Sequence, residues 1–199
     1  MANPFDINRY AGVSLWGLDN AVTPTAWVPV TVSAGGGVIT AGGGSGVYAV
    51  QTFTPAAGAY GAGDLISVAK QFTFVMADGV TGVPTGSRIR ILTSIIRNDV
   101  TAVPAGQTSF TLQTYRVTPP SAQADNDAWT LASADLPSYL GAVALGTPVD
   151  SGAALFVRTG DLNVDMNLSA ASFFGEYVTA GAATFAAVAH TVELIGILL

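Results

Sequence analysis

The feature that most constrains the fold is the absence of a helical repeat: no segment of ten or more residues spaces its apolar side chains three and four apart. Residues 87–96 (SRIRILTSII) alternate instead, with Arg88 and Arg90 on one side and Ile89 and Ile91 on the other. Successive side chains of a β-strand point to opposite faces, so this pattern is typical of a sheet with one face in water. Without crossover helices, a parallel sheet of βαβ units is excluded.

Turn residues divide the later chain into roughly eight strand-like segments. The predicted strands cover residues 47–54, 65–74, 87–96, 109–117, 142–145, 155–158, 172–179 and 188–198. Long irregular connections between them favour a jelly roll over an up-and-down barrel. The predicted fold class is therefore all-β: an antiparallel jelly-roll β-sandwich formed by residues 47–199, preceded by an extended N-terminal arm.

Residues 1–46 are predicted to form this N-terminal arm and a glycine-rich linker. Residues 27–32 (WVPVTV) alternate like an edge strand, because Pro29 lacks an N–H for the ladder. Two glycine clusters, 35–37 and 42–46, are predicted to act as hinges, since glycine loses the most backbone entropy on folding.

Two tryptophans, Trp16 and Trp27, are the large anchors of this arm. Aromatic side chains bury much area at a low entropy cost, so both are candidate contacts to a neighbouring subunit. The alternative is an N-terminal hairpin that covers one end of the same domain.

Composition restricts the partners. Charged residues are only 10% of the chain and hydrophobic residues are 50%, which favours burial in an assembly, unless the alanine and glycine content raises the average without forming patches. A net charge of −6 repels phosphate backbones and anionic lipids, so neither nucleic acid nor a membrane is an expected partner. No cysteine is present, which excludes disulfides and thiolate chemistry.

The stretch 124–141 (ADNDAWTLASADLPSYLG) combines charge, aromatic residues and turn chemistry, and is predicted to connect two sheets. The side chains of its Asp-Asn-Asp sequence can accept hydrogen bonds from nearby backbone N–H groups. Ser133 is a candidate N-cap for one helical turn that Gly141 ends. Asp125, Trp129 and Tyr139 are the candidate contact residues of this connector.

A search for catalytic chemistry gives little. The single histidine, His190, lies in an apolar strand, where a buried residue with one hydrogen bond is expected rather than a triad or metal ligand. The carboxylate pairs Asp125/Asp127 and Asp161/Asp165 lack the ligand spacing of a calcium loop. We therefore expect no enzyme, no metal and no cofactor.

Three segments, in this order, resemble a family of tailed-phage capsid decoration (cement) proteins with a jelly-roll fold. They are residues 60–67 (YGAGDLIS), the Asp-rich turn that runs from Asp125-Asn126 to Leu140-Gly141, and residues 173–178 (FFGEYV). The resemblance covers about residues 47–199. It departs at residues 181–185 (GAATF), where the family often has an aromatic-Thr-Pro turn.

This resemblance implies a non-enzymatic virion protein. Such a protein would be made in the host cytoplasm, bind the major capsid protein on the outside of the head as a homotrimer, and stabilise the shell. A different class stays open: a carbohydrate-binding jelly-roll module of a phage tail or fibre, in which Trp129 or Tyr139 stacks on a sugar.

Overall fold

The computed structural model describes residues 15–18, 27–32, 38–39 and 46–199, and the chain divides into two compact units, Met1–Gly43 and Gly44–Leu199. In the first unit, strands β1 (Leu15–Leu18), β2 (Trp27–Val32) and β3 (Val38–Ile39) form an antiparallel sheet in the order β1-β2-β3. The edge position predicted for 27–32 is therefore wrong, because β2 is central. Pro29 still has a ladder neighbour on one side only, since β3 pairs just with Thr31 and Val32.

The second unit is built entirely from β-strands and irregular connections. Its strands are β4 (Gly46–Phe53), β5 (Gly58–Tyr60), β6 (Lys70–Thr73), β7 (Val75–Met76), β8 (Arg88–Asn98), β9 (Phe110–Tyr115), β10 (Tyr139–Gly146), β11 (Val149–Asp150), β12 (Leu155–Thr159), β13 (Val164–Asn167), β14 (Ser172–Thr179), β15 (Ala183–Phe185) and β16 (His190–Leu198). Across the part of the chain that the structure describes, no helix is long and apolar enough to cross a bilayer.

Two antiparallel sheets enclose the core. The small sheet has the order β10-β9-β14-β6, and the large sheet has the order β11-β12-β8-β16-β4-β7 with β13 also paired to β8. Among the eight main strands, β4 pairs with β16, β6 with β14, β8 with β12 and β9 with β10. The first main strand thus pairs with the last, the second with the seventh, the third with the sixth and the fourth with the fifth.

The core lies between the inward faces of the two sheets. Phe53 of the large sheet contacts Phe72 and Tyr177 of the small sheet, with ring centroids 6.1 Å and 5.1 Å apart. Ile89 and Ile91 are fully buried on the inward face of β8, as the alternation in residues 87–96 predicts. Burying a side chain of this size contributes about 1.5–3 kcal/mol, so the apolar half of each strand holds the sheets together. The prediction of an all-β, antiparallel sandwich is confirmed.

Two sequence predictions about local structure are wrong. Residues 65–74 do not form one strand, because Ser67 adopts a left-handed conformation with φ 67° and leaves Leu65 with only an isolated bridge to Val178. Gly141 does not end the turn that precedes it, since β10 already begins at Tyr139. Gly141 instead lies within β10 at a register shift, where its φ of 120° favours glycine.

Candidate functional site

The connector, residues 119–138, crosses the outer face of the small sheet. The indole N–H of Trp129 donates to the Tyr115 hydroxyl in β9 at 3.0 Å and to Glu176 Oε2 in β14 at 3.1 Å. At the end of the connector, the backbone N–H of Arg116 donates to the Ser138 carbonyl at 2.7 Å. The connector thereby removes from water a sheet face that alternation alone would leave exposed.

Asp125 ties the connector to the loop that follows β4. Its Oδ2 accepts hydrogen bonds from the Ala56 N–H at 2.7 Å and the Tyr60 hydroxyl at 2.8 Å, while Oδ1 accepts from the Ser67 N–H at 2.6 Å. Burial and the hydrogen bond to this carboxylate raise the pKa of Tyr60. The expected local turn bond is made instead by Asp127, whose Oδ2 accepts from the Ala124 N–H at 2.8 Å.

Trp129 of the connector and Tyr139, the first residue of β10, lie together. Their ring centroids are 6.3 Å apart, and Tyr139 also contacts Tyr115 at 5.4 Å. The Tyr139 hydroxyl donates to Gln113 Oε1 at 2.7 Å. Both Trp129 and Tyr139 are half-buried, so each presents part of a ring to solvent while its polar atom is bonded inside the protein.

Two carboxylates are buried beneath this aromatic cluster. Glu176 is 1% exposed, and burial raises the pKa of its carboxyl above the usual range. Its Oε1 has no hydrogen-bond partner. Asp135 is equally buried, and it accepts hydrogen bonds from the Ser121 N–H at 3.0 Å and from the Ser121 hydroxyl. A buried carboxyl of raised pKa can hold or release a proton, but it does not by itself define a reaction.

The arm candidates Trp16 and Trp27 lie in β1 and β2, where Trp16 is opposite Pro29 and Trp27 is opposite Leu18. Their side chains, and therefore their contacts, lie outside what the structure describes. Their assignment as anchors stays a prediction.

The two members of the second predicted carboxylate pair, Asp161 and Asp165, have different surroundings. Asp165 bridges Arg88 at 2.8 Å and Arg90 at 2.6 Å, and the hydrogen bond from Arg90 lowers its pKa. Asp161 lies in the preceding turn with a left-handed φ of 55°. Among the described residues, no three His, Asp or Glu side chains are arranged to hold a metal ion.

His190 is a core residue. It is 2% exposed and contacts Phe110, Tyr177 and Phe185 in edge-on geometry, with ring centroids 5.6–6.0 Å apart. Burial lowers its pKa to about 4, and Nδ1 has no hydrogen-bond partner. The histidine therefore stays neutral at physiological pH and packs as an aromatic side chain.

Three members of the cluster are missing from the sequence-based candidates: Gln113, Tyr115 and Glu176. Gln113 points away from the core as its alternation predicts, yet it is only 8% exposed, and its Oε1 accepts a hydrogen bond from Tyr139 of β10. A charged residue within an otherwise apolar strand, SFFGEYVT, is the signal that could have identified Glu176.

No protein-family model matches the sequence, and no curated protein matches it significantly. The fold and the site define an antiparallel β-sandwich with a covered outer sheet face, and function has to be argued from that geometry.

Proposed function

We propose that this protein is a non-enzymatic capsid decoration (cement) protein with a jelly-roll fold, which binds the outside of a tailed-phage head. The observation that carries the proposal is the strand pairing: first with eighth, second with seventh, third with sixth, fourth with fifth. A long antiparallel hairpin folded across two sheets has this pairing, and such double-sheet jelly rolls serve as viral capsid and lectin domains.

The surface supports the proposal independently. Only 10% of the residues are charged, and several large apolar side chains are well exposed, including Leu136 at 61% and Val117 at 50%. Leu136 lies in the connector, which also carries Asp125 and Trp129, and Val117 lies two residues before the connector begins. Exposed apolar area of this kind is typical of a surface that another protein covers.

The mechanism of such a protein is burial repeated by symmetry. Each copy would contact the major capsid protein and its own trimer partners, and ligands that bind only the assembled state stabilise it by mass action. No single residue performs chemistry in this mechanism.

Cosedimentation with phage shells tests the proposal. Purified protein is mixed with mature, undecorated heads and, separately, with unexpanded procapsids. We expect saturable binding to the expanded shell, at a copy number that matches its three-fold and quasi-three-fold positions, and greater resistance of the shell to heat. Absence of binding to the mature shell would contradict the cement function.

A second candidate, carbohydrate binding, is favoured by the half-exposed ring pair of Trp129 and Tyr139. Aromatic rings with a nearby carboxylate are a common surface for sugars, and lectins share the jelly-roll architecture. A glycan array distinguishes the two functions. A sugar whose binding is lost in Tyr139→Ala, in a protein that does not bind shells, would favour the tail or fibre alternative.

A further inference from the structure

Several buried polar side chains at one end of the core are not hydrogen-bonded to other protein groups. Both amide atoms of Asn98 and of Gln107, the Tyr177 hydroxyl and His190 Nδ1 have no hydrogen-bond partner among the described residues. All four side chains are at least nine-tenths buried. Buried polar groups in native proteins are nearly always hydrogen-bonded, either to the protein or to a bound molecule. These groups are therefore candidates for binding one.

Asn98 and His190 face each other across two neighbouring strands of the large sheet. Asn98 ends β8, His190 begins β16, and the two residues are directly opposite in the antiparallel register. The Cβ atoms of residues in such positions are about 4.5–5.5 Å apart. Both side chains point into the core, because the neighbouring residues Arg97 and Thr191 point outward. No direct hydrogen bond joins the pair, since both amide atoms of Asn98 are unpartnered.

The small sheet adds a third polar side chain. Tyr177 of β14 contacts the His190 ring in edge-on geometry, with ring centroids 5.9 Å apart. Gln107 belongs to the loop that joins β8 to β9, and β9 begins at Phe110, which contacts His190 at 6.0 Å. Polar side chains from both sheets and from one closing loop thus lie at the same end of an otherwise apolar core.

This group of side chains is uncharged and contains both donors and acceptors. The Asn98 amide can donate and accept, and the Tyr177 hydroxyl can donate. Burial lowers the pKa of His190 to about 4 and raises that of Tyr177, so both are neutral at physiological pH. A bound ion would have no countercharge among these side chains, and an uncompensated buried charge is costly. The chemistry fits a small, neutral molecule that both donates and accepts.

We propose that Asn98, His190 and Tyr177 together bind an ordered water molecule between the two sheets. Water can donate to His190 Nδ1 or accept from it, so it serves either tautomer of the imidazole. Buried waters typically make about three hydrogen bonds to groups that the protein itself leaves unsatisfied, which matches the three side chains. This inference goes beyond the proposed function, because it concerns the core and not the outer surfaces.

The water joins the two sheets by hydrogen bonds in a region where the other contacts are apolar. It also depends on the register of β16, since only the pairing of His190 with Asn98 brings their polar atoms together. A slip of one residue would turn His190 to the outer face of the sheet. The site therefore favours the observed pairing of the last strand over neighbouring registers.

A high-resolution crystal structure of the full-length chain tests the proposal directly. We expect an ordered water at hydrogen-bond distance, about 2.7–3.2 Å, from the Asn98 amide, from His190 Nδ1 and from the Tyr177 hydroxyl. A direct hydrogen bond between the Asn98 amide and the imidazole, with no water between the sheets, would overturn the proposal.

The sign of the stability change in Tyr177→Phe gives an independent test. Removing a hydroxyl that binds water loses a hydrogen bond, whereas removing an unpartnered buried hydroxyl relieves its desolvation cost. In urea denaturation, we expect the substitution to raise the equilibrium constant for unfolding about fivefold. A variant that is as stable as the unmodified protein, or more stable, would show that the hydroxyl binds no water.

A double-mutant cycle shows whether Asn98 and Tyr177 share the same water. Leucine has nearly the shape of asparagine but cannot hold water, so in an Asn98→Leu background we expect Tyr177→Phe to change the unfolding constant less than about twofold. Ser94→Ala is the matched control, because Ser94 lies on the same inward face of β8 with an unpartnered Oγ, about 13 Å from Asn98.

In the Ser94→Ala background, the fivefold effect of Tyr177→Phe should persist, since distant sites act independently. An equal effect in the two backgrounds would overturn the shared water. The crystal structure and the single Tyr177→Phe substitution keep the proposal testable even if Asn98→Leu does not fold.

Discussion

Replacing His190 by glutamine should reduce the loss in the free energy of unfolding that the protein undergoes as the pH falls. His190 is buried against Phe110, Tyr177 and Phe185, and on the sheet it lies between Phe53 and Asn98. Of these described neighbours only Tyr177 is titratable, and its phenol is neutral in the acid range because burial raises its pKa. Nothing among these neighbours can compensate a positive charge on the imidazole.

The magnitude follows from the pKa. Burial lowers the pKa of His190 from 6.5 to about 4. Between these values the unfolded chain binds a proton that the folded chain does not, so the free energy of unfolding falls as the pH falls. Each pKa unit corresponds to about 1.4 kcal/mol, so this histidine removes about 3 kcal/mol of stability between pH 6.5 and pH 4.

Urea denaturation of the unmodified protein and of His190→Gln, from pH 8 to pH 4, measures this contribution. Glutamine loses ring contacts and lowers stability at every pH, but that loss is constant. The difference between the two proteins should therefore shrink by about 3 kcal/mol as the pH falls from 6.5 to 4. Carboxylates with lowered pKa values, such as those of Asp78 and Asp165, affect both proteins equally. Parallel stability curves across this range would refute the reasoning.

Three further substitutions test other parts of the sandwich by chemical denaturation. Glu176→Gln should raise stability at neutral pH by about 1 kcal/mol, because it removes a buried carboxylate whose Oε1 has no hydrogen-bond partner. The gain should disappear as the pH falls towards 4.5, where the carboxyl of the unmodified protein is protonated. An unchanged denaturation midpoint at pH 7 would contradict this prediction. Asp125→Ala should cost about 2–4 kcal/mol, since it leaves the backbone N–H groups of Ala56 and Ser67 without an acceptor and removes one of the two acceptors of the Tyr60 hydroxyl. Gly106→Ala should cost about 1–3 kcal/mol, because a Cβ there would lie 2.0 Å from the Ala182 carbonyl oxygen at a φ of 83°, and a neutral result would contradict the close approach of these loops.

The sequence predicts those features of the fold that depend only on residues close together in the chain. The alternation of arginine and isoleucine in residues 87–96 identifies both the strand β8 and its buried face, because that pattern needs only a sheet with one dry side. The class of fold follows for the same reason. The interruption after Leu65 is not predictable in this way, since nothing in its composition indicates that Ser67 turns back towards Asp125.

In the candidate site, too, some features can be predicted from the sequence and others arise only in the folded protein. Residue type alone selects Trp129 and Tyr139 as candidate contact residues, and the structure places them in one cluster. The burial of Glu176 depends on a connector whose Trp129 folds over it, and the partners of Asp125 lie 58–69 residues away in the chain. Contacts at such separations arise from the tertiary fold, and one sequence carries no local pattern for them.

The pairing of β4 with β16 has a consequence for synthesis. β16 occupies the middle of the large sheet, between β8 and β4, yet it is the last strand of the sandwich to leave the ribosome. Until it arrives, β4 and β8 both present unpaired edges and an open core, which are the features that lead nascent chains to aggregate. The sandwich can close only when nearly all of its residues have been made, so its yield in the cell should depend on how long those two edges are kept apart from other chains.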